Sequence, residues 1–247
     1  MMLKTKTKNI SIVLYKPKYA GNIGSVARAA KNMGIRDIMV VGRAGYDREE
    51  MQQRSTHLAA DVLDHIQYCE RLDEALGGFR YIVGTTARLG KARGPFFSPR
   101  AVAQDIADIS QKNRVALLFG PEDTGLANEE LRLCQTVVTI PTSQDFTSLN
   151  LSHAVMILCY EIFIASSPST KTTEVTPKLA RSQELEGMYG QIKTLLADIE
   201  FLNPENPDYW MMHLRRFFTR ASLLSREVKI IRGICRQLQW YSHHKKT

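Results

Sequence analysis

Three polar stretches carry the residue types that could do chemistry. GNIGSVARAAKNMG (21–34) reads as a helix of small side chains with one permanent charge, Arg28, in its middle and Asn22 near its start. LLFGPEDTGLA (117–127) holds a carboxylate, Glu122, between Gly120 and Gly125. PTSQDFTSLNLS (141–152) leads into an apolar helix, and its Ser148, Asn150 and Ser152 suit either the helix N-cap or hydrogen bonds to a ligand. A fourth run, GTTARLGKARG (84–94), is rich in accessible backbone amides and hydroxyls. Together they offer a cation, a carboxylate, amides and hydroxyls.

Several chemistries are excluded. The glycines of GPEDTG have the spacing of a phosphate-binding P-loop, but Leu126-Ala127 stand where that loop needs Lys and Ser/Thr. No GxGxxG occurs, so a Rossmann dinucleotide site has no fingerprint. His57, Asp61 and His65 fall at helical spacing and could line up as metal ligands. A solvated helix face is the favoured reading, because no histidine or cysteine motif accompanies them, and no metal is expected. Cys69, Cys134, Cys159 and Cys235 are widely spread, as buried thiols of a reducing compartment would be.

The elements that must position these groups follow from alternating periods. β-rich runs at 10–15, 38–41, 81–85, 115–119 and 137–140 alternate with helical patterns at 22–33, 48–66, 99–110, 128–134 and 150–164. That alternation predicts a parallel sheet covered by helices on both faces, with ligands beyond the carboxyl ends of its strands. Gly34 should cap the first helix and Asn128 start the fourth. SSPSTKTTEVTP (166–177) reads as a linker, and only helical patterns follow, at 178–200, 207–220 and 225–239. The expected organisation is an α/β domain over 1–165, a joint over 166–177 and a helical extension over 178–247.

At 247 residues and 44% apolar content the chain can bury a sizeable core. Its longest apolar run, AVMILCY, is cut by Glu161, and the early ISIVLY stops at Lys16-Pro17. Neither a membrane span nor a secretory leader is expected, which points to the cytoplasm. Residues 1–210 hold 24 basic and 24 acidic side chains and residues 211–247 hold nine and one, so the net +8 lies in the tail. There Lys229, Arg232 and Arg236 share one helical face, Ile231, Ile234 and Leu238 another, with Trp240 and Tyr241 just beyond. This clustering favours a polyanionic partner, nucleic acid, over a merely solvated helix.

GNIGSVARAAKNMG, LLFGPEDTGL and IPTSQDFTSLNLSHAV, in this order, resemble the three signature motifs of the SpoU branch of the SPOUT RNA methyltransferases, over residues 9 to 165. Beyond them, HLRRFFTRA and EVKIIRGICRQL look like the basic helical tail of that branch's tRNA ribose 2′-O-methyltransferases. The resemblance implies a parallel sheet whose C-terminal part is threaded into a deep trefoil knot, against the general rule that chains avoid knots. It implies S-adenosylmethionine bound in that knot and a homodimer whose active sites form near the subunit interface. Carried over by motif, Thr85, Thr86, Ala87, Gly120, Ile140, Thr147, Ser148 and Leu149 would cradle the cofactor. Arg28 would be catalytic: the resemblance implies a general base assisted by the RNA phosphate, whereas a guanidinium's resistance to deprotonation favours charge stabilisation on the attacking oxygen plus phosphate positioning, and the base role stays open. Asn22 would orient Arg28 or the substrate, with Glu122, Ser148 and Asn150 holding the geometry.

Contacts to RNA phosphate are expected from the loop cations Arg88, Lys91, Arg93 and Arg100 and from Arg215, Arg216, Arg220, Lys229, Arg232 and Arg236 of the tail. The implied substrate is tRNA, at cytidine or uridine in position thirty-two of the anticodon loop. DNA lacks the 2′-hydroxyl this chemistry needs. A ribosomal RNA methyltransferase and a noncatalytic RNA-binding module of the same fold stand as alternatives.

Overall fold

In the computed structural model, which describes residues 6–88, 95–165, 178–203 and 206–244, the chain divides into two compact units, Met1–Thr176 and Pro177–Thr247. The 166–177 stretch expected as a joint lies outside the described residues.

The first unit runs β1 Ile10–Tyr15, α1 Ala20–Asn32, β2 Asp37–Val41, α2 Arg48–Ser55, α3 Ala60–Asp64, β3 Gln67–Cys69, α4 Leu72–Leu76, β4 Tyr81–Thr85, β5 Phe96–Phe97, α5 Pro99–Ser110, β6 Val115–Phe119, α6 Asn128–Leu131, β7 Thr136–Val138 and α7 Leu151–Ala165. The strands form one sheet in the order β3-β2-β1-β6-β4-β7-β5. Every pairing is parallel. ISIVLY and VALLF are buried on both faces and apolar but for Ser11, whose hydroxyl bonds Asp37, rather than alternating, as strands between two helix layers must be. α1 packs on α2 and α7, and α7 on α5.

The strand order builds the site. β6 enters between β1 and β4, and β7 between β4 and β5, so the loops that follow three neighbouring parallel strands, β6, β4 and β7, leave side by side at the carboxyl end of the sheet. Ligands of open parallel sheets sit at such carboxyl-end crevices, where the strand order reverses.

Among the described residues seven strands stand where five were expected. β3 and β5, of three and two residues, are too short to leave a periodic signature. The single helix expected over 48–66 is broken at Thr56, whose φ is +65°. Ser55 Oγ donates there to the Gln52 and Thr56 carbonyls, a local bond that competes with helix continuation. Asn128 is not the cap of α6: Ala127 is, and its N–H donates to Glu130 Oε2 at 2.7 Å. Gly34 takes φ +75° after α1. Its N–H donates to Lys31 and that of Ile35 to Ala30, the paired bonds of a left-handed helix stop.

The second unit packs α8 Ser182–Asp198, α9 Pro207–Arg220 and α10 Ser225–His244 around Leu185, Met188, Ile192, Leu195, Met211 and Val228. The side of α10 that packs into it is Val228, Ile231 and Cys235, whereas Ile234 and Leu238 are exposed. The expected apolar face was thus about one residue out of phase. Among the described residues no helix is long and apolar enough to cross a membrane.

Cys134 and Cys159 are both buried, and burial raises both thiols, Cys159 to about 12. The thiolate is the reactive form, so neither thiol should be reactive near neutral pH. Titration with a disulfide reagent should therefore reach Cys134 and Cys159 only after unfolding. Rapid labelling of either in the native protein would contradict this packing.

Candidate active site

Asn22 opens the site. Its Nδ2 donates to Glu122 Oε1 at 2.8 Å, and its Oδ1 accepts from Asn150 Nδ2 at 2.9 Å. Glu122 Oε2 accepts the Lys18 backbone N–H at 2.8 Å. Asn150 Oδ1 accepts both the N–H and the Oγ of Ser152, at 2.9 and 2.7 Å, and so caps α7. Residues separated by more than a hundred positions are thereby tied into one chain of bonds. An ionised carboxylate only accepts, and the Ser152 amide only donates, so the orientation of both asparagines is fixed from the two ends.

The loop bearing Glu122 is closed on itself. Gly125 N–H donates to Pro121 O at 2.7 Å, and Gly125 has φ +59°. A Cβ at Gly120 would lie 2.4 Å from Gly125 C and Leu126 N, so only glycine fits against the returning chain. Leu126, which stands where a P-loop has lysine, is instead fully buried in the core and anchors the loop. Lys18 Nζ reaches Asp123 at 2.5 Å, and that bond holds the Asp123 carboxyl below its ordinary range.

Beside this cluster the loops after β4, β6 and β7 enclose a cleft of about 260 Å³. Thr85, Thr86, Ala87, Gly120, Ile140, Thr147, Ser148 and Leu149, the expected cofactor residues, all line it, as do Arg88 and Glu122. Part of its polar surface is already engaged. Thr85 Oγ1 donates to the Leu118 carbonyl at 3.1 Å, and Thr86 Oγ1 accepts the Arg88 N–H at 3.1 Å. Apolar Val138, Ile140, Leu149 and Leu151 supply flat-ligand contact, and Thr147 and Ser148 sit beside them. Apolar walls with a few hydroxyls and a glycine cradle suit a nucleoside-like ligand.

Arg28 does not line this cleft among the described residues. It is exposed on α1, where Asn22, Ser25 and Arg28, spaced by three, form one ridge: Asn22 and Ser25 are half-buried and Arg28 is open, with Lys31 and Asn32 also reaching solvent in the last turn. Among the described residues it makes no hydrogen bond or ion pair. Six helical residues place it about 9 Å beyond Asn22 along the axis.

The expected RNA contacts divide into groups. Arg88 donates to the Thr124 carbonyl across the cleft, and Arg100 makes a two-pronged pair with Glu161 at 3.1 and 3.2 Å. Lys91 and Arg93 lie outside the described residues. Arg215 is a structural residue of the second unit, bonded to both Glu186 oxygens at 2.6 and 2.7 Å and stacked 4.3 Å over Tyr189. Arg232 reaches Gln191 at 3.2 Å, and Arg216 is half-buried. Arg220, Lys229 and Arg236 are exposed. Asp61, a candidate metal ligand, is bonded to Lys31 and Arg36 at 2.6 and 2.9 Å instead.

Lys18 and Glu50 were not foreseen. Glu50 Oε1 accepts the Gly21 N–H at 3.0 Å and so satisfies the start of α1, next to Asn22. Their partners lie 29 and about a hundred residues away, and no local motif announces such pairs.

Residues 9–160 match the SpoU rRNA Methylase family, and residues 183–247 match the tRNA methyltransferase TrmJ, C-terminal domain. The tRNA (cytidine/uridine/adenosine-2′-O-)-methyltransferase TrmJ of Pseudomonas aeruginosa is 37% identical over 241 residues, 93% of each chain. The tRNA (cytidine/uridine-2′-O-)-methyltransferase TrmJ of Photorhabdus laumondii is 35% identical over 238 residues, 92% of this chain and 95% of that one. The crystal structure of TrmJ from Z. mobilis ZM4 matches with a TM-score of 0.78 at 28% identity, covering 93% of this chain and 98% of that one. With both its catalytic motifs and its tail matched, the chain belongs to the SpoU rRNA methylase family, among the members that carry a TrmJ C-terminal domain.

Proposed function

We propose that the protein transfers a methyl group from S-adenosylmethionine to a ribose 2′-hydroxyl of tRNA, at cytidine or uridine in position thirty-two of the anticodon loop, as a cytoplasmic homodimer. The observation that carries this reading is the bonded set Lys18–Glu122–Asn22–Asn150 at the edge of a cleft lined by the loops after β4, β6 and β7. Likeness over most of the chain to two proteins named as tRNA 2′-O-methyltransferases supports the substrate class.

S-adenosylmethionine supplies an electrophilic methyl group on a sulfonium. Val138, Ile140 and Leu149 would take its apolar surfaces, Thr147 and Ser148 its hydroxyls, and the glycine cradle at Gly120 the closest approach of backbone. As the 2′-oxygen takes the methyl group its proton would pass to water or to the neighbouring RNA phosphate, and a fixed guanidinium would offset the negative charge that develops on the oxygen. Arg28 fills that role. Asn22 and Asn150, held in one orientation, receive the ribose and its phosphate.

A site whose cation does not line its own cleft is completed by a second copy. The exposed face of α7 supports that assembly: Tyr160, Phe163 and Ile164 are each about half exposed on a helix that is apolar almost throughout.

The test is methyl transfer from labelled S-adenosylmethionine to unmodified tRNA and ribosomal RNA, followed by mapping of 2′-O-methyl sites. Label confined to position thirty-two is the expected result. A ribosomal site would overturn the substrate, and no transfer to either RNA would favour the noncatalytic RNA-binding module.

A further inference from the structure

The bonded pair Asn22 and Asn150, 2.9 Å apart, is flanked on both chain segments by an exposed ring. Tyr19, at the N-cap of α1 and 60% exposed, lies three residues before Asn22. Phe146, 75% exposed, lies four residues before Asn150. Four residues of chain span at most about 14 Å, so both rings sit near the rim of the same site. Phe146 is held there by a turn: its N–H donates to Ser143 O at 3.3 Å, and the Asp145 N–H to Ser143 Oγ at 3.4 Å. Neither ring packs against another aromatic ring among the described residues. Of the other exposed rings of this unit, Tyr68 lies on β3 at the outer edge of the sheet, and Tyr160 lies ten residues along α7 from Asn150, about 15 Å.

A single exposed aromatic is ordinary, but two bracketing one hydrogen-bonded pair offer flat apolar faces to a ligand seated between them. The inference rests on the reading of the site as a ribose methylase. Where a nucleotide is drawn out of its loop to seat its ribose in such a cleft, it and its neighbours lose stacking, which costs free energy. Aromatic side chains compensate by stacking the freed bases, and they do so for any base because every base has a π face. We propose that Tyr19 and Phe146 stack nucleobases of the bound RNA on either side of the ribose that Asn22 and Asn150 receive. Such stacking also explains how one site takes more than one base: the rings read a flat face and leave the base edge unread.

Tyr19→Leu and Phe146→Leu keep apolar bulk and remove the flat face. The full-length enzyme is assayed on unmodified tRNA, and quenching of 2-aminopurine placed beside the methylated nucleotide reports stacking directly. Each leucine variant should raise the KM for tRNA about tenfold, within the range for loss of one stacked base, and should restore 2-aminopurine emission. S-adenosylmethionine binding should hold, and Tyr19→Phe and Phe146→Tyr should behave as wild type. Wild-type KM and quenching in both leucine variants would overturn the proposal. So would a fall in mass by light scattering, which would assign the rings to subunit contact. A wild-type enzyme that methylates no tRNA would sink the methyl-transfer reading instead, whereas an active enzyme indifferent to both leucines sinks only the rings.

Discussion

Replacing Arg28 with alanine should lower the rate of methyl transfer by about 10²–10³-fold, the usual effect of removing one group that stabilises a developing oxyanion. S-adenosylmethionine affinity, read by calorimetry, should stay near wild type, because Arg28 does not line the cleft among the described residues. Arg28→Lys should recover only part of the loss, since lysine keeps the charge without the planar fork that grips phosphate. The exposed ridge of α1 makes a second outcome specific. If Arg28 serves the partner's cleft, a subunit lacking it can still lend its cofactor loops to a partner that has it. Gly120→Val supplies the complementary defect, because a side chain there collides with the backbone of Gly125 and Leu126 at 2.4 Å. Each homodimer should then be inactive, while random mixed dimers regain about a quarter of wild-type activity through one complete site in two. Inactive mixtures would place Arg28 in its own chain's site, and near-normal turnover in Arg28→Ala would remove it from catalysis.

The sheet and its loops were legible because their signals are local. ISIVLY and VALLF announce buried parallel strands by being apolar on both faces, Ser11 excepted, and the Gly, Ser and Thr runs after β4, β6 and β7 mark a ligand edge by composition alone. What was not legible depends on distance in sequence. Nothing near Glu122 says that the Lys18 amide will occupy one of its oxygens, since the two meet only because β6 is inserted beside β1. Arg100 and Arg215 read as free cations in a sequence, yet each is claimed by a glutamate on another helix. The faces of α10 were misread because cationic stems and aliphatic residues alternate there, and the choice between Ile231 and Ile234 as core is made by what α8 presents.

Gly24 shows why α1 is built from small residues, and its replacement should be the most damaging single methyl group in the first unit. A Cβ at Gly24 would stand 2.1 Å from the Met51 carbonyl oxygen and 2.8 Å from its carbon, backbone atoms of α2 that no rotamer change can move. α1 and α2 must therefore separate. Overpacking of this kind costs about 1–3 kcal/mol, against which alanine's better helix propensity returns about 1 kcal/mol. Gly24→Ala should lose up to about 2 kcal/mol net, a fall in Tm of up to about 8 °C in a domain of this size. Gly190→Ala gives the contrast: it also lies within a helix, α8, but nothing stands within 4 Å of its Cβ. There the propensity term acts alone, and the same substitution should stabilise by up to about 1 kcal/mol. The effect at Gly24 should also reach the chemistry. Asn22 is half a turn away on the same helix and depends on 2.8 and 2.9 Å bonds to Glu122 and Asn150, so a displaced α1 breaks the bonded set proposed to receive the ribose. Methyl transfer should drop even at temperatures where Gly24→Ala is fully folded. A variant with wild-type Tm would mean that α2 yields without cost, and one that is destabilised but fully active would uncouple the packing of α1 from the geometry of the site.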